Sequence, residues 1–299
     1  MGTGKNPSTL HFERSKPCRW LVAALLLLTG LMAQTQPLNS SPATPHARAE
    51  PIALMRQAIS AGQPYLVLSQ RGDEPLTLAA AYQVQQALVV GKKIMGFKAG
   101  LTTEAGQHKF GVDEPIAGVL LAAPLRFSKG ALNIDSNQYN RLMLELELGF
   151  VLKRDIGKPL ASISQLKQLV AYVSPVIELP DLGFEKTPRL LGVDVIASNA
   201  AARTVIMGAA GDATAADLNA LGVALYHNDQ LILEGKGSDA MGDQWQALLW
   251  LINHSLKQGY RIEAGQLFIT GALGKMLAAS PGDYRATFAE YGELRFSVQ

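Results

Sequence analysis

From Pro51 onward the spacing of apolar positions changes along the chain, and each change predicts a different element. Apolar residues recur at helical spacing over Ile52–Ala61 and again over Leu76–Val90, predicting two helices. Between them, Gln63–Asp73 carries Gly and Pro near its edges and a short β-like run, Tyr65-Leu66-Val67-Leu68. Beyond Gly91 the pattern becomes brief strand-like runs separated by Gly, Pro and Asn/Asp turns. Helical spacing returns at Ile163–Val173, at Ala215–Ala220 and most clearly at Trp245–Lys257. No internal repeat runs through this body, and strands and helices do not alternate as regular βαβ units. An α+β fold with a mixed, curled sheet follows.

The N-terminal segment reads differently. Lys5, Arg14, Lys16 and Arg19 precede an apolar run from Trp20 to Ala33, the pattern of a secretory signal. That run falls short of the ~20 apolar residues of a membrane-spanning helix. A Ser/Pro/Thr/Ala-rich stretch, Leu38–Ala49, follows and ends in Ala47-Arg48-Ala49, a small-x-small cleavage pattern; Ala33 is a weaker alternative. The expected organisation is therefore a signal peptide and linker over residues 1–49, a helical segment over 50–92 and a catalytic domain over 93–299. The expected destination is the periplasm, with no membrane contact after cleavage; an uncleaved anchor, or a cytoplasmic enzyme with a misassigned start, is the alternative. Cys18 is the single cysteine and precedes the apolar run, so no disulfide, Cys-zinc site or thiol nucleophile is expected in the mature part.

With 299 residues, 48% of them hydrophobic, the chain can bury a full core. A net charge of +2 with scattered basic residues offers no stripe to neutralise a phosphate backbone, so nucleic acid is not an expected partner.

The most informative run is Leu142–Leu152. A strand alternates its faces, so Glu145 and Glu147 point one way while Leu144, Leu146 and Leu148 point the other. Glutamate is a poor strand former, and two like charges at this spacing repel unless water screens them or a cation neutralises them. An ordinary strand, apolar inside and acidic outside, is one reading; a site for a hard cation is the other. Downstream, Val176-Ile177-Glu178-Leu179 sets one more carboxylate in a short apolar strand bracketed by Pro175 and Pro180. Glu178 is either a solvated edge residue or the third ligand of an octahedral face. Gly235-x-Gly237-x-x-Ala240 imitates a dinucleotide loop, but Tyr226–Leu231 before it reads as a hairpin turn. The chain has no Gly-x-Ser-x-Gly elbow and no Walker loop, and His108, His227 and His254 lack zinc-ligand spacing.

Several short motifs occur together in a fixed order: Gly96-Phe97-Lys98-Ala99-Gly100-Leu101-Thr102, Gly111-Val112-Asp113-Glu114-Pro115, the Glu-x-Glu strand, Ile177-Glu178, Gly265–Gly271 and Pro281-Gly282-Asp283. In this order the chain resembles the 2-keto-4-pentenoate hydratase and 2-oxo acid decarboxylase branch of the fumarylacetoacetate hydrolase superfamily, over about Pro51 to Gln299 and including Tyr82-Gln83-Val84-Gln85-Gln86. The resemblance implies a fumarylacetoacetase-like mixed β-sheet roll with flanking helices and a small N-terminal helical part. It implies Mg²⁺ or Mn²⁺ held by Glu145, Glu147 and Glu178, and a small 2-oxo acid chelated to that ion while an enolate forms. Lys98 matches the family's active-site lysine, to hold the substrate carboxylate or assist proton transfer. Gly100, Leu101, Thr102, Asn199, Thr270 and Gly271 match positions that line the substrate, and family members commonly form homo-oligomers.

The family pattern also breaks. Ile116 stands where the family's hydratases carry an Asp that helps add water and where its decarboxylases tend to carry an apolar residue, which tilts the expectation toward decarboxylation. Ser198 stands for a common Asp, Ala200 and Ala201 for serines, and Gly242-Asp243-Gln244 for Gly-His-Pro. Two functions are therefore expected in competition: a metal-dependent lyase on a 2-oxo acid, or a binding protein of the cell envelope that keeps the pocket and has lost turnover.

Overall fold

The structure, a computed structural model, describes Met1 and residues 45–72, 74–123, 125–126, 132–214 and 216–299. The signal and linker expectations lie outside the described residues, save that residues 45–49 already open a helix. Everything described from residue 45 on lies within the unit Ala43–Gln299. No helix among the described residues is long and apolar enough to cross a membrane.

Helix α1 (Pro45–Ser60) begins earlier than its apolar periodicity predicts and contains Pro51. Helix α2 (Leu78–Val89) starts where Thr77 accepts a hydrogen bond from the Ala80 amide at 3.2 Å, a cap worth about 1 kcal/mol. Its inner face buries Ala81, Tyr82, Val84, Gln85 and Leu88 at the predicted helical spacing. The β-like run before it forms no strand: Tyr65 makes a single bridge to Phe184, and Leu68–Gln70 is a 3₁₀ turn.

Then follow β1 (Gly96–Gly100), α3 (Glu104–Phe110), β2 (Ile116–Leu120), the short β3 (Leu125–Arg126) and β4 (Leu132–Ile134), and the long β5 (Met143–Leu152). Helix α4 (Ile163–Lys167) is one turn long, and β6 (Val170–Leu179) begins almost at once, which corrects the helix expected over Ile163–Val173. Val170, Tyr172 and Val173 are β-branched or aromatic and pair with Leu152, Val151 and Phe150, so the ladder to β5 overrides the local helical spacing. Next come α5 (Gly192–Ala197) and β7 (Thr204–Met207). Residues 216–220 form turns, not the expected helix, because the Asp217 carboxylate accepts the Asn219 amide at 3.0 Å and offers the backbone an alternative partner. Strands β8 (Gly222–His227) and β9 (Gln230–Lys236) form an antiparallel hairpin whose turn residues, Asn228 and Asp229, both have positive φ. The glycines after it therefore do not open a βαβ crossover. Helix α6 (Gln244–Lys257), β10 (Leu267–Ile269), β11 (Leu277–Ala278), β12 (Gly282–Thr287) and β13 (Glu293–Val298) complete the chain.

The large sheet has the order β2-β1-β10-β5-β6-β7-β3, with β11 also on β5; the smaller one has the order β4-β13-β12-β8-β9. Strand β10 thus enters the middle of the large sheet, parallel to β1 and antiparallel to β5. One face of that sheet, with Phe97, Phe268, Leu144, Leu146, Leu148, Phe150 and Ile177, packs into one cluster with Trp245, Leu248, Leu251 and Ile252 of α6 and Leu225, Ala286 and Phe296 of the second sheet. Each Leu, Ile or Phe among them contributes about 2 kcal/mol by leaving water. The opposite face carries a small apolar group, Val151, Val176, Val205, Leu267 and Ile269, and beside it the acidic residues of β5 and β6.

Candidate active site

Glu145 pairs directly across the ladder with Glu178, and Glu147 lies two residues further along β5, so the three carboxylates share one face. One oxygen from each falls within 4.8 Å of the others. Glu147 and Glu178 are fully buried and Glu145 is half-buried. Like charges set opposite each other in a sheet destabilise it, so this placement needs a compensating charge. Part of it is Lys98 on β1, only 4% exposed, whose Nζ lies 2.7 Å from Glu178 Oε1.

The remaining contacts are few. The Gly271 amide donates to Glu147 Oε2 at 2.7 Å. Glu147 Oε1 and the Glu178 oxygens are buried without a hydrogen-bond partner apart from the Lys98 ion pair on Glu178 Oε1. Burial, and then Glu178, lift Glu145 to about 8 against the pull of Lys98. Burial, followed by Glu178 and Glu145, lifts Glu147 well above the usual carboxylate range. Burial alone would lower Lys98, but Glu178, Glu145 and Glu147 outweigh it and hold the ammonium protonated. With every group ionised, three carboxylates and one ammonium leave two negative charges, the amount one divalent cation cancels. The donor set is all oxygen, as hard cations prefer, and the orphaned oxygens supply open lone pairs; the residues fit Mg²⁺ or Mn²⁺.

The other expected site residues divide. Gly100 ends β1 opposite Ile116 of β2, and Leu101 follows with φ 50°. Thr102 is buried against Gly271, whose φ of 108° and close approach, with a Cβ there meeting Thr102 Cγ2 at 2.5 Å, admit only glycine. The Gly271 amide faces Glu147, so it serves the carboxylate cluster. Thr270 points to the opposite face of the sheet, where its hydroxyl meets Gln244 Oε1 at 2.6 Å and the Leu148 carbonyl at 3.2 Å. Asn199 is occupied as well: its Oδ1 accepts the Val119 amide and its Nδ2 donates to the Val119 carbonyl, both at 2.8 Å. Asn199, Ala200 and Ala201 run consecutively at positive φ (65°, 52° and 55°), a left-handed turn that costs about 1–2 kcal/mol per residue. Ser198 ties this turn down, donating to the Val195 carbonyl at 2.8 Å and accepting from the Ala201 amide at 3.3 Å. Sequence reasoning missed Gln244 as a partner of the site; a glutamine at the first position of a helix, where its side chain can turn back, was the available signal.

No protein-family model matches the chain. It is 29% identical over 246 residues to 2-keto-4-pentenoate hydratase of Paraburkholderia xenovorans, covering 80% of this chain and 90% of that protein. It is 30% identical over 214 residues to 4-oxalocrotonate decarboxylase of Pseudomonas putida, covering 70% of this chain and 80% of that protein. Among solved structures, 4-oxalocrotonate decarboxylase from Pseudomonas putida G7, complexed with magnesium and adipate, shares the fold with a TM-score of 0.78 at 23% identity, over 86% of this chain and 99% of that one. The fumarylpyruvate hydrolase of Pseudomonas aeruginosa is similar over 69% of this chain and 89% of its own, with a TM-score of 0.50 at 14% identity. The ordered motifs, the sheet roll and the decarboxylase relative converge: the chain belongs to the 2-keto-4-pentenoate hydratase and 4-oxalocrotonate decarboxylase family.

Proposed function

We propose that the protein is a Mg²⁺- or Mn²⁺-dependent lyase acting on a small 2-oxo acid, with decarboxylation favoured over hydration. The observation that carries this reading is the trio Glu145, Glu147 and Glu178, the last two fully buried with orphaned oxygens, beside a protonated Lys98. Glu145, Glu147 and Glu178 would hold the ion, which when bound supplies Lewis-acid stabilisation of the negative charge that develops on the substrate's keto oxygen. Lys98 keeps its ammonium in a buried site, where it can bind a substrate carboxylate or return a proton to the reacting carbon. Gly271 fixes the Glu147 carboxylate through its amide. Ile116 lies on the Lys98 face of β2, 1% exposed and packed in one cluster with Ala197 and Ala200, so that position supplies no acid or base for adding water. The altered residues Ser198, Ala200 and Ala201 build the left-handed turn, which supports an intact site over a degenerate binder.

The test is to incubate the chain with Mg²⁺ or Mn²⁺ and a panel of 2-oxo acids, following substrate loss and CO₂ together. Metal-dependent CO₂ release is expected. Substrate loss without CO₂ would move the reading to hydration, and saturable binding without turnover would overturn the lyase. Export is proposed on the N-terminal pattern alone, and fractionation of expressing cells decides it.

A further inference from the structure

Gln244 is fully buried at the start of α6, and every polar atom of its side chain is engaged. Its amide nitrogen donates to the Gly237 carbonyl at 2.7 Å, which settles which end of the side chain faces Thr270. Its Oε1 meets the Thr270 hydroxyl at 2.6 Å, shorter than that hydroxyl's 3.2 Å contact to the Leu148 carbonyl, so the one hydroxyl hydrogen goes to Gln244. Its main-chain amide donates to Asn219 Oδ1 at 2.9 Å, anchoring the helix end itself. The next residue after Thr270 is Gly271, which has no side chain to hold it and adopts φ 108°. That residue's amide, 2.7 Å from Glu147 Oε2, is the only hydrogen bond to the Glu147 carboxylate among the described residues.

We propose that Gln244 is a positioning residue of the carboxylate cluster, acting through Thr270 to keep the Gly271 amide on Glu147. The inference rests on the cation reading of that cluster and adds a residue on the far face of the sheet, which touches neither ion nor substrate. It is also a position where the chain departs from the family's Gly-His-Pro, and a proline side chain there would offer Thr270 no acceptor. Without Gln244 the Thr270 hydroxyl falls back on the Leu148 carbonyl, the 270–271 turn loses its tie to α6, and Glu147 gains freedom to rotate out of ligand geometry.

The experiment measures the Mn²⁺ dissociation constant of the full chain by calorimetric titration, with melting temperatures alongside. Gln244→Leu and Thr270→Val are each expected to weaken Mn²⁺ binding about 10- to 100-fold, the range for partners that orient metal ligands. The double variant should lose no more than the worse single one, because both act on one path. Thr270→Ser, which keeps the hydroxyl, should bind as the wild type does. Thr77→Ala removes the α2 cap, where Thr77 Oγ1 accepts the Ala80 amide at 3.2 Å, and serves as the structural control. It should lower the melting temperature and leave Mn²⁺ binding unchanged. Equal Mn²⁺ loss in Thr77→Ala, additive losses in the double variant, or wild-type affinity in Gln244→Leu would overturn the inference. Glu147→Gln separates the two levels: if it binds Mn²⁺ like the wild type, the cation reading falls and this inference with it. If it loses Mn²⁺ while Gln244→Leu does not, only the positioning role falls.

Discussion

Two sets of buried acids in this molecule are treated in opposite ways. Asp181, 1% exposed, receives the amides of Asn140, Arg141 and Gly183 and an ion pair from Arg203 at 3.1 Å. Asp194, fully buried, receives the Ser69 amide and hydroxyl, both at 2.7 Å, and the Leu191 amide at 3.2 Å. Glu147 and Glu178 are buried as deeply, yet they share one amide and one ammonium and leave three oxygens without a hydrogen bond. An unpaired buried polar group costs about 1–3 kcal/mol, more if charged, so a chain that satisfies Asp181 and Asp194 completely has the means to satisfy the glutamates too. The contrast separates acids that hold loops together from acids kept open for something that arrives.

The comparison breaks most visibly at the glutamates. Glu145→Gln, Glu147→Gln and Glu178→Gln are each expected to lower metal-dependent turnover by at least about 10³-fold. The melting temperature of metal-free Glu145→Gln and Glu147→Gln should hold or rise, because one carboxylate fewer crowds the cluster, whereas Glu178→Gln strands the buried Lys98 ammonium and should lower it. Steady-state kinetics and a thermal melt on one preparation check both halves; a large stability loss in Glu145→Gln or Glu147→Gln would place those two with the structural acids. Asp181→Ala should do the reverse. It strands three amides and Arg203, destabilising the fold by about 3 kcal/mol in a denaturant titration while Mn²⁺ affinity stays unchanged. Asp194→Ala, with no cationic partner to strand among the described residues, should cost about 2 kcal/mol by the same measurement.

The smallest expected effect at neutral pH concerns a buried group belonging to neither set. His254 stacks on Trp250 at 4.7 Å and against Tyr82 at 5.0 Å, and burial, with help from Lys257, pushes it down to about 4. Its folded value lies below its unfolded value near 6.5, so the unfolded chain binds the extra proton between the two. Its stabilising contribution is therefore present above pH ~6.5 and is lost as pH falls toward 4, by at most about 3 kcal/mol. His254→Gln should flatten that limb of a stability-against-pH curve and leave Mn²⁺ affinity at neutral pH untouched. A change in Mn²⁺ affinity would tie this helix to the site.

What could be read from the chain beforehand follows from what periodicity reports. Alternation put Leu144, Leu146 and Leu148 on one face and Glu145 and Glu147 on the other, and that division holds because a strand has two faces whatever it pairs with. The helices α2 and α6 were legible for the same reason. Val170–Val173 was misread because four residues suit either period, and only the β5 ladder, distant in sequence, decides. Glu178 was legible as a carboxylate in an apolar strand, but its position opposite Glu145 depends on register, which no local pattern encodes. Asn199 and Thr270 matched the family pattern, yet their side chains bind Val119 and Gln244, because residue type tells which bonds a group can make and not with whom.

The place of β10 in the large sheet has a consequence for how the protein comes into being. Residues Leu267–Ile269 lie between β1 and β5, so a ribosome has made most of the chain before the strand that joins these two exists. Until then Lys98 belongs to one half-sheet and the three glutamates to another, and the nascent chain carries the parts of the site with nothing to bring them into register. Cutting the message between codons 207 and 267 would therefore yield two unjoined sheet fragments with exposed edges for a chaperone to shield, and no joined version of the site.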